Sequence, residues 1–284
     1  MASRPRGRSG AARRVRGRAR GRARRPLAAI TGASSGIGEA FARALSRDGF
    51  DLLLVARRRP RLERVARELS ETHGAAVEVL PADLTRPACL RAVETRLERE
   101  TRLELLVNSA GRGEFGSLWQ SPREALDTEL RLNGLALLRL AHAALRPMLA
   151  RRRGAVVNVS STAGFVPCPN YAVYGATKAF VNSLSEALHE ELRGTGVRVQ
   201  ALCPGLTHTE IFEEAGVDVS SVPRFLWMTP EAVVEASLAA LRRNEVICVP
   251  GLGNRTLASL VRLLPHAATG RLAGVLGRRF VRPR

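Results

Sequence analysis

The chain has 284 residues, of which 45% are hydrophobic and 25% are charged, and it carries a formal net charge of +19. This composition provides the core of one large domain, and it excludes fibrous, mucin-like and largely disordered proteins. No apolar run reaches the roughly 18 residues that cross a bilayer. The four cysteines are scattered without a CxxC pair, which argues against a disulfide framework or zinc ribbon and for a reducing compartment.

The positive charge lies at the two ends of the chain. Residues 1–25 contain 11 arginines, residues 251–284 contain 7, and neither segment has an acidic residue. The segment 26–250 therefore has 27 basic residues (45 minus 18) against 26 acidic ones. We interpret 1–25 as a disordered Arg/Gly-rich tail, because it has no apolar periodicity that would form a face to bury. We expect no nucleic-acid partner, since the folded domain is nearly neutral.

Between the tails, short apolar runs alternate with helical stretches. The runs are rich in Val, Leu and Ala and lack polar alternation, which indicates a parallel sheet buried on both faces. They predict an α/β domain over 26–250, a Rossmann-type doubly wound parallel sheet of about seven strands with helices on both faces. The predicted strands are 27–31, 51–56, 76–80, 103–107, 155–159, 197–202 and 246–249, and the predicted helices are 36–47, 60–72, 87–100, 121–150, 170–193 and 229–243.

A glycine-rich loop, TGASSGIG at 31–38, follows the first strand and opens the first helix. Glycines permit a tight turn and close approach of the backbone to a pyrophosphate, and the helix N-terminus supplies N–H donors. The loop therefore favours a dinucleotide site over a purely structural turn. The contacts expected here are Gly32, Ser34, Ser35, Gly36, Ile37 and Gly38.

The second strand ends in three arginines at 57–59. A NAD-binding fold places an Asp or Glu here to hold the ribose 2′-hydroxyl, whereas a guanidinium suits a 2′-phosphate. The missing carboxylate favours NADP(H) over NAD(H), with Arg57 as the leading contact. The alternative is a solvated arginine run.

The helix 170–193 carries a Tyr-x-x-x-Lys pair, Tyr174 and Lys178, which the i, i+4 spacing places on one face. Lys178 is the one lysine of the chain, against 44 arginines, which suggests a need for a compact ammonium. An ammonium and an oxidised nicotinamide are expected to lower the pKa of a phenol, ordinarily near 10, in a partly dry site. Ser161 follows the fifth strand and is placed to hold a substrate carbonyl, with Ser160 as the alternative.

These motifs together resemble the short-chain dehydrogenase/reductase family, single-domain type, over about 26–250. The loop at 31–38 matches its TGxxxGIG motif, and 108–111 reads NSAG where the family has NNAG. The spacing to Tyr174 and the glycine at 164 select Ser161 over Ser160. The resemblance implies the catalytic residues Asn133, Ser161, Tyr174 and Lys178, and further cofactor contacts at Asp83, Leu84, Asn108, Ala110, Gly111, Tyr174, Lys178, Pro204, Gly205, Thr207 and Thr209.

The implied function is hydride transfer between NADP(H) and a carbonyl/alcohol pair. Tyr174 is expected to donate the proton, Ser161 to polarise the oxygen, and Lys178 to lower the Tyr174 pKa and hydrogen-bond the nicotinamide ribose. Asn133 is expected to hold a water in the proton path. The alternatives are a NAD-dependent alcohol or sterol dehydrogenase and a non-catalytic dinucleotide-sensing protein. The resemblance also implies a homodimer or homotetramer, and we expect a cytoplasmic protein.

Aromatic residues are concentrated where the resemblance places the substrate cleft. They favour a lipophilic ketone, an acyl compound or a sterol-like compound, although they would also serve to anchor long loops. The basic amphipathic extension 251–284 is suited to lie on an anionic membrane, to cover the cleft or to form a subunit face. The histidines lack metal-ligand spacing, so no metal is expected. The aromatic and sulfur-containing residues that the resemblance places around the substrate cleft are Phe115, Trp119, Phe165, Phe212, Phe225, Trp227 and Met228.

Overall fold

A seven-stranded parallel sheet with helices on both faces forms the body of the protein, in agreement with the predicted fold class. The computed structural model describes residues 25–263 and 282–283. In chain order the strands are β1 (Leu27–Thr31), β2 (Asp51–Ala56), β3 (Val77–Pro81), β4 (Leu103–Asn108), β5 (Gly154–Val159), β6 (Val197–Leu202), β7 (Val217–Asp218), β8 (Ile247–Cys248) and β9 (Arg282–Pro283). The sheet order is β3-β2-β1-β4-β5-β6-β8, and β7 pairs separately with β9 in antiparallel orientation.

The helices occupy the connections between these strands. In chain order they are α1 (Gly36–Arg47), α2 (Arg59–His73), α3 (Pro87–Glu98), α4 (Arg123–Leu130), α5 (Leu137–Arg151), α6 (Ala172–Glu191), α7 (Ile211–Glu214), α8 (Pro230–Arg242) and α9 (Leu252–Leu263). A π-helical turn, Arg131–Ala136, joins α4 to α5, and 3₁₀ turns cover Thr162–Phe165 and Arg224–Leu226. Within residues 25–263, no helix is both long and apolar enough to cross a bilayer.

Two apolar layers hold the helices on the sheet. Because side chains alternate along a strand, Ile30 of β1 faces the layer of α1, α2 and α8, while Ala29 faces the layer of α3, α5 and α6. Phe41 of α1 is completely buried in the first layer, and Leu140 of α5 is almost completely buried in the second. Such two-sided burial explains why the strands lack polar alternation.

Local sequence signals set several helix ends. Pro87 and Pro230 lie at the first turns of α3 and α8, where a missing N–H costs nothing. Thr229 caps α8 by accepting a hydrogen bond from the Ala232 amide at 3.2 Å. Gly74 ends α2 in the left-handed region, with φ of 60°.

Every predicted strand and helical stretch is observed, and the stretch over 121–150 contains an additional π-helical turn, while α7, α9, β7 and β9 lie outside the predicted elements. The predicted strands lie within one residue of their predicted bounds, and the other predicted helices lie within two. The helical stretch predicted over 121–150 is observed as an uninterrupted helical run over 123–151, in which the π-helical turn lies between α4 and α5. An apolar periodicity does not reveal the extra residue that a π turn inserts, although such turns are frequent at functional sites.

Candidate active site

A cleft of about 790 Å³ opens at the carboxyl ends of the strands. It lies where β1 and β4 are neighbours, with β2 and β3 on one side and β5, β6 and β8 on the other. Doubly wound sheets bind ligands at such a reversal of strand order. The loops after β1 to β6 line the cleft, so residues far apart in the sequence meet there.

Most of the predicted site residues line this cleft. Gly38, Asn108 and Asn133 do not, because each packs against the backbone that shapes the cleft. The predicted residues in the lining are Gly32, Ser34, Ser35, Gly36, Ile37, Arg57, Asp83, Leu84, Ala110, Gly111, Ser161, Tyr174, Lys178, Pro204, Gly205, Thr207 and Thr209.

The glycine loop is held in a shape that other residues would disturb. Gly32 has φ of 67°, and a Cβ there would lie 2.9 Å from the Cα of Ala110. A Cβ on Gly38 would lie 2.3 Å from the Gly32 carbonyl oxygen, so α1 packs directly on the turn. The first N–H groups of α1 have no partner within the helix, and Ser35 makes no side-chain cap bond. This end of α1 therefore fits a pyrophosphate.

At the end of β2, Arg58 is hydrogen-bonded to the glycine loop, and the predicted contact of Arg57 with a 2′-phosphate stays a prediction. The Arg58 guanidinium donates to Ser35 Oγ at 2.9 Å, to Ser34 Oγ at 3.2 Å and to Glu210 Oε2 at 2.8 Å. Arg57 also lines the cleft, but its side chain is exposed. Both guanidinium groups fit the phosphate of a nucleotide, and Arg58 is already tied to the glycine loop.

The residues after β3 and β4 shape the middle of the cleft. Burial raises the pKa of Asp83, but hydrogen bonds from the Thr85 amide and hydroxyl and the charge of Arg57 outweigh it, so the pKa is lowered and the carboxyl is ionised. Asn108 is buried and donates to Asn158 Oδ1 at 3.0 Å, across the β4–β5 pair. Asn108 thus orders the strand ends from behind the cleft.

Ser161, Tyr174 and Lys178 meet at the centre of the cleft. Ser161 precedes the first 3₁₀ turn, and its hydroxyl accepts a hydrogen bond from the Ala163 amide at 3.1 Å. Lys178 Nζ lies 5.4 Å from the centre of the Tyr174 ring and donates to the Val159 carbonyl at 2.8 Å. Ser160 also reaches the lining, but its hydroxyl donates to the Lys178 carbonyl. Ser160 therefore ties β5 to α6, whereas Ser161 lies beside Tyr174.

Burial is the main cause of the pKa shifts of Tyr174 and Lys178. It raises the pKa of Tyr174 to about 12, against the opposing effect of a hydrogen bond with Ser161, and it lowers the pKa of Lys178 to about 8. The expected lowering of the Tyr174 pKa is therefore absent from the protein alone, because the phenol is desolvated and Lys178 is turned to the Val159 carbonyl. Tyr174 is protonated at neutral pH and is able to donate a proton.

Asn133 lies in the π-helical turn and is almost completely buried. Its Oδ1 accepts a hydrogen bond from the Arg112 amide at 3.0 Å, and its Nδ2 donates to the Arg112 carbonyl at 2.8 Å. Nδ2 also donates to Thr177 Oγ1 at 3.3 Å. Asn133 thus joins the loop after β4 to α6, and its catalytic role stays a prediction.

Glu129, four residues before Asn133, is a buried carboxyl that sequence reasoning missed. It is inaccessible to solvent, and neither oxygen makes a well-formed hydrogen bond. Burial raises its pKa to about 7, against smaller lowering effects of the Glu114 amide, Arg112 and Lys178. In the sequence it is one of many acidic helix residues, so its burial is a tertiary property.

The predicted aromatic residues divide between the cleft and the outer surface. Phe115, Phe165 and Phe212 line the cleft. Trp119 and Phe225 are each 84% exposed. Trp227 packs outside the lining, stacked on His208 and edge-on to Phe212, and Met228 packs against the core. Tyr171, which the sequence did not mark as a functional residue, also lines the cleft.

Helix α9 covers one side of the cleft. Ala258 is buried with Ala201, Cys203 and Val249, and Leu257 lines the cleft although its side chain is 58% exposed. Of the three roles considered for the extension 251–284, a cover of the cleft agrees with these contacts. Residues 264–281 and the predicted tail up to residue 24 lie outside the described residues. Among the described residues, no cluster of metal-binding side chains is found.

The chain is similar in sequence and fold to known dehydrogenases and reductases. A family model described as "short chain dehydrogenase" matches residues 26–219. A short-chain dehydrogenase from Sphingobium yanoikuyae, solved in complex with NADPH, is 40% identical with a TM-score of 0.78, over 89% of this chain and 95% of that one. The bulky-bulky ketone specific alcohol dehydrogenase from Comamonas testosteroni is 34% identical with a TM-score of 0.73, over 85% and 96%. The very-long-chain 3-oxoacyl-CoA reductase of Anas platyrhynchos is 30% identical, over 88% of this chain and 75% of that protein.

The chain belongs to the short-chain dehydrogenase family. It is an NAD(P)-dependent oxidoreductase that acts on the CH–OH/C=O pair of a small molecule.

Proposed function

We propose that the protein is an NADP(H)-dependent oxidoreductase for a lipophilic ketone or the corresponding alcohol. The observation that carries this proposal is the meeting of Ser161, Tyr174 and Lys178 in a large cleft that also contains the glycine loop and Arg58. Phosphate-binding elements lie at one end of the cleft and apolar walls at the other, with the proton donor between them.

The protein's own residues have distinct tasks in this proposal. The Tyr174 hydroxyl, protonated at neutral pH, donates its proton to the carbonyl oxygen during reduction. The Ser161 hydroxyl hydrogen-bonds and polarises the same oxygen. Lys178 keeps one N–H on the Val159 carbonyl and presents its other donors toward the ribose. The nicotinamide cofactor supplies or accepts the hydride when bound.

Preference for NADP(H) rests on the arginines at the end of β2. Arg58 already donates hydrogen bonds to Ser34 and to Ser35 beside the start of α1, where a 2′-phosphate would gain charge-assisted hydrogen bonds. NAD(H) remains the alternative cofactor, because Glu210 brings a carboxylate to the same guanidinium.

Preference for a lipophilic substrate rests on the other end of the cleft. Phe115, Phe165 and Phe212 supply apolar surface there, and Leu257 of α9 adds to it. Apolar walls with few polar groups favour a bulky hydrocarbon next to one carbonyl. The Comamonas enzyme, described as specific for bulky-bulky ketones, is similar in fold.

Absorbance of NADPH and NADH, followed with a panel of bulky ketones, aldehydes and 3-oxoacyl thioesters, tests this function. We expect turnover with NADPH, and we expect Tyr174→Phe to lower kcat by about 10²- to 10⁴-fold because the proton donor is lost. The Kd for NADPH should change by less than about threefold, because phenylalanine keeps the ring of Tyr174 and leaves the other predicted cofactor contacts unaltered. Unchanged turnover in Tyr174→Phe would contradict the assignment of the proton donor, and faster turnover with NADH would contradict that of the cofactor.

A further inference from the structure

A carboxylate from a distant part of the chain is bound to the guanidinium at the end of β2. Glu210 lies in the connection that follows β6, 152 positions along the chain from Arg58. Its Oε2 accepts from Arg58 Nη1 at 2.8 Å, and its Oε1 accepts from Arg61 Nη1 at 2.5 Å. Glu214 Oε1 lies 3.8 Å from the same Arg58 nitrogen. The cationic end of the cleft is thus partly neutralised from within the protein.

The segment that carries Glu210 packs directly on the glycine loop. A Cβ on Gly36 would lie 2.9 Å from Cγ2 of Thr209. Two residues after Glu210, Phe212 lines the substrate end of the cleft. One short stretch of chain therefore touches the phosphate-binding loop, the arginines and the substrate wall.

The pair is exposed enough to exchange partners. The side chains of Arg58 and Glu210 are 35% and 36% exposed, and ion pairs at such exposure contribute little to stability. A phosphate with two negative charges forms stronger charge-assisted hydrogen bonds with a guanidinium than one carboxylate does. An incoming 2′-phosphate is therefore able to displace Glu210 from Arg58.

We propose that Glu210 is a specificity-determining residue, which occupies the Arg58 guanidinium and is exchanged for the 2′-phosphate of the cofactor. The proposal rests on the NADP(H)-dependent function given above. Binding of a 2′-phosphate breaks the bond of Glu210 to Arg58 and leaves its bond to Arg61, so α7 loses one of its two links to this region. Binding of a nucleotide without that phosphate leaves the Arg58–Glu210 pair closed. Glu210 thereby lowers the affinity for phosphorylated nucleotides and links cofactor identity to the position of Phe212.

Calorimetric titration with adenosine 2′,5′-bisphosphate and with adenosine 5′-monophosphate tests the exchange without turnover. We expect Glu210→Gln to tighten binding of the bisphosphate by about three- to tenfold and to change binding of the monophosphate by less than twofold. Glu213→Gln is the matched control, because Glu213 lies on the same short helix, carries the same charge and makes no ion pair with a described arginine. It should change both constants by less than twofold.

Hydrogen exchange of the unmutated protein gives a second measurement. The bisphosphate should speed exchange of amides in 210–216 relative to the monophosphate, since α7 loses its link to Arg58. Weaker bisphosphate binding in Glu210→Gln, or equal tightening in Glu213→Gln, would overturn the proposal. Slower hydrogen exchange in 210–216 with the bisphosphate than with the monophosphate would also overturn the proposal.

The two proposals fail in different ways. If the unmutated protein prefers the bisphosphate and Glu210→Gln changes nothing, the exchange is wrong and NADP(H) dependence stands. If neither the unmutated protein nor Glu210→Gln prefers the bisphosphate, NADP(H) dependence is wrong, and the proposed exchange at Arg58 is wrong as well. If only Glu210→Gln prefers the bisphosphate, the role of Glu210 is supported and the cofactor preference of the natural protein is wrong.

Discussion

Tyr171 stacks on Tyr174, with ring centroids 4.3 Å apart and planes inclined by 21°. Tyr171 is the residue that precedes α6, and Tyr174 lies three positions later, in the first turn of that helix. Tyr171 is held in turn by the loop after β4, where a Cβ on Gly113 would overlap its hydroxyl oxygen. The proton donor is thus covered on one face by a second aromatic ring, which contributes to the burial that keeps Tyr174 protonated.

Replacement of Tyr171 should separate ring packing from hydroxyl chemistry. We expect Tyr171→Phe to retain kcat/KM within about fivefold, because the stacked ring remains. Tyr171→Ala should lower kcat/KM by more than about 20-fold, since it leaves a cavity beside Tyr174. Steady-state kinetics of both variants with one ketone substrate measures the difference. Equal losses in both variants would show that the hydroxyl matters rather than the stacking.

The buried carboxyl of Glu129 should make stability depend on pH. Burial raises its pKa from 4.5 to about 7 in the folded protein. The unfolded chain therefore loses this proton at lower pH than the folded one, and the free energy of unfolding falls as pH rises from about 4.5 to about 7. Glu129→Gln should remove this loss, so the variant should gain up to about 3 kcal/mol relative to the natural protein between pH 4.5 and pH 8.

Urea unfolding at both pH values measures this gain. Glu124→Gln is the control, because Glu124 lies on the same helix and is exposed. A relative gain with the opposite pH dependence, or an equal gain in the control, would contradict the assignment of a raised pKa to Glu129.

The arginines at 57–59 should differ in their effect on cofactor binding. Arg58 is hydrogen-bonded to both serines of the glycine loop, Arg57 is exposed at the cleft, and Arg59 lies outside the lining and pairs with Glu63. We expect Arg58→Ala to weaken NADPH binding by about 10- to 100-fold. Arg57→Ala should weaken it less, and Arg59→Ala by less than twofold. Fluorescence titration of NADPH ranks the three variants, and a greater loss in Arg57→Ala would identify Arg57 as the main contact.

Helix α9 should influence the substrate rather than the cofactor. Leu257 lines the cleft, while Leu252 is 80% exposed and lies outside the lining. Leu257→Glu should raise KM for a bulky apolar ketone by about tenfold, because a charge beside an apolar ligand must be desolvated. Leu252→Glu should leave that KM within twofold, and KM for NADPH should be unaffected in both variants. A similar rise in both variants would indicate a general disturbance of the helix.

The amino-acid sequence by itself determined the sheet, the order of the elements along the chain, and the placement of the reactive residues in loops and on α6. Apolar runs buried on both faces, the glycine loop after β1 and the i, i+4 spacing of Tyr174 and Lys178 are local patterns with direct physical consequences. The absence of an Asp or Glu at the end of β2 is also a local pattern, because it concerns only consecutive residues of the chain. Such features depend on local backbone geometry and periodicity, which can be deduced from one stretch of sequence without knowing which other segments pack against it.

Only the tertiary structure decided which groups share the site environment. Glu210 reaches Arg58 from the connection after β6, Glu129 is buried, and the pKa of Tyr174 rises because burial outweighs its hydrogen bond. The π-helical turn that carries Asn133 depends likewise on packing between α4 and α6. Burial, desolvation and long-range charge pairing are properties of segments brought together, so no pattern of neighbouring residues specifies them.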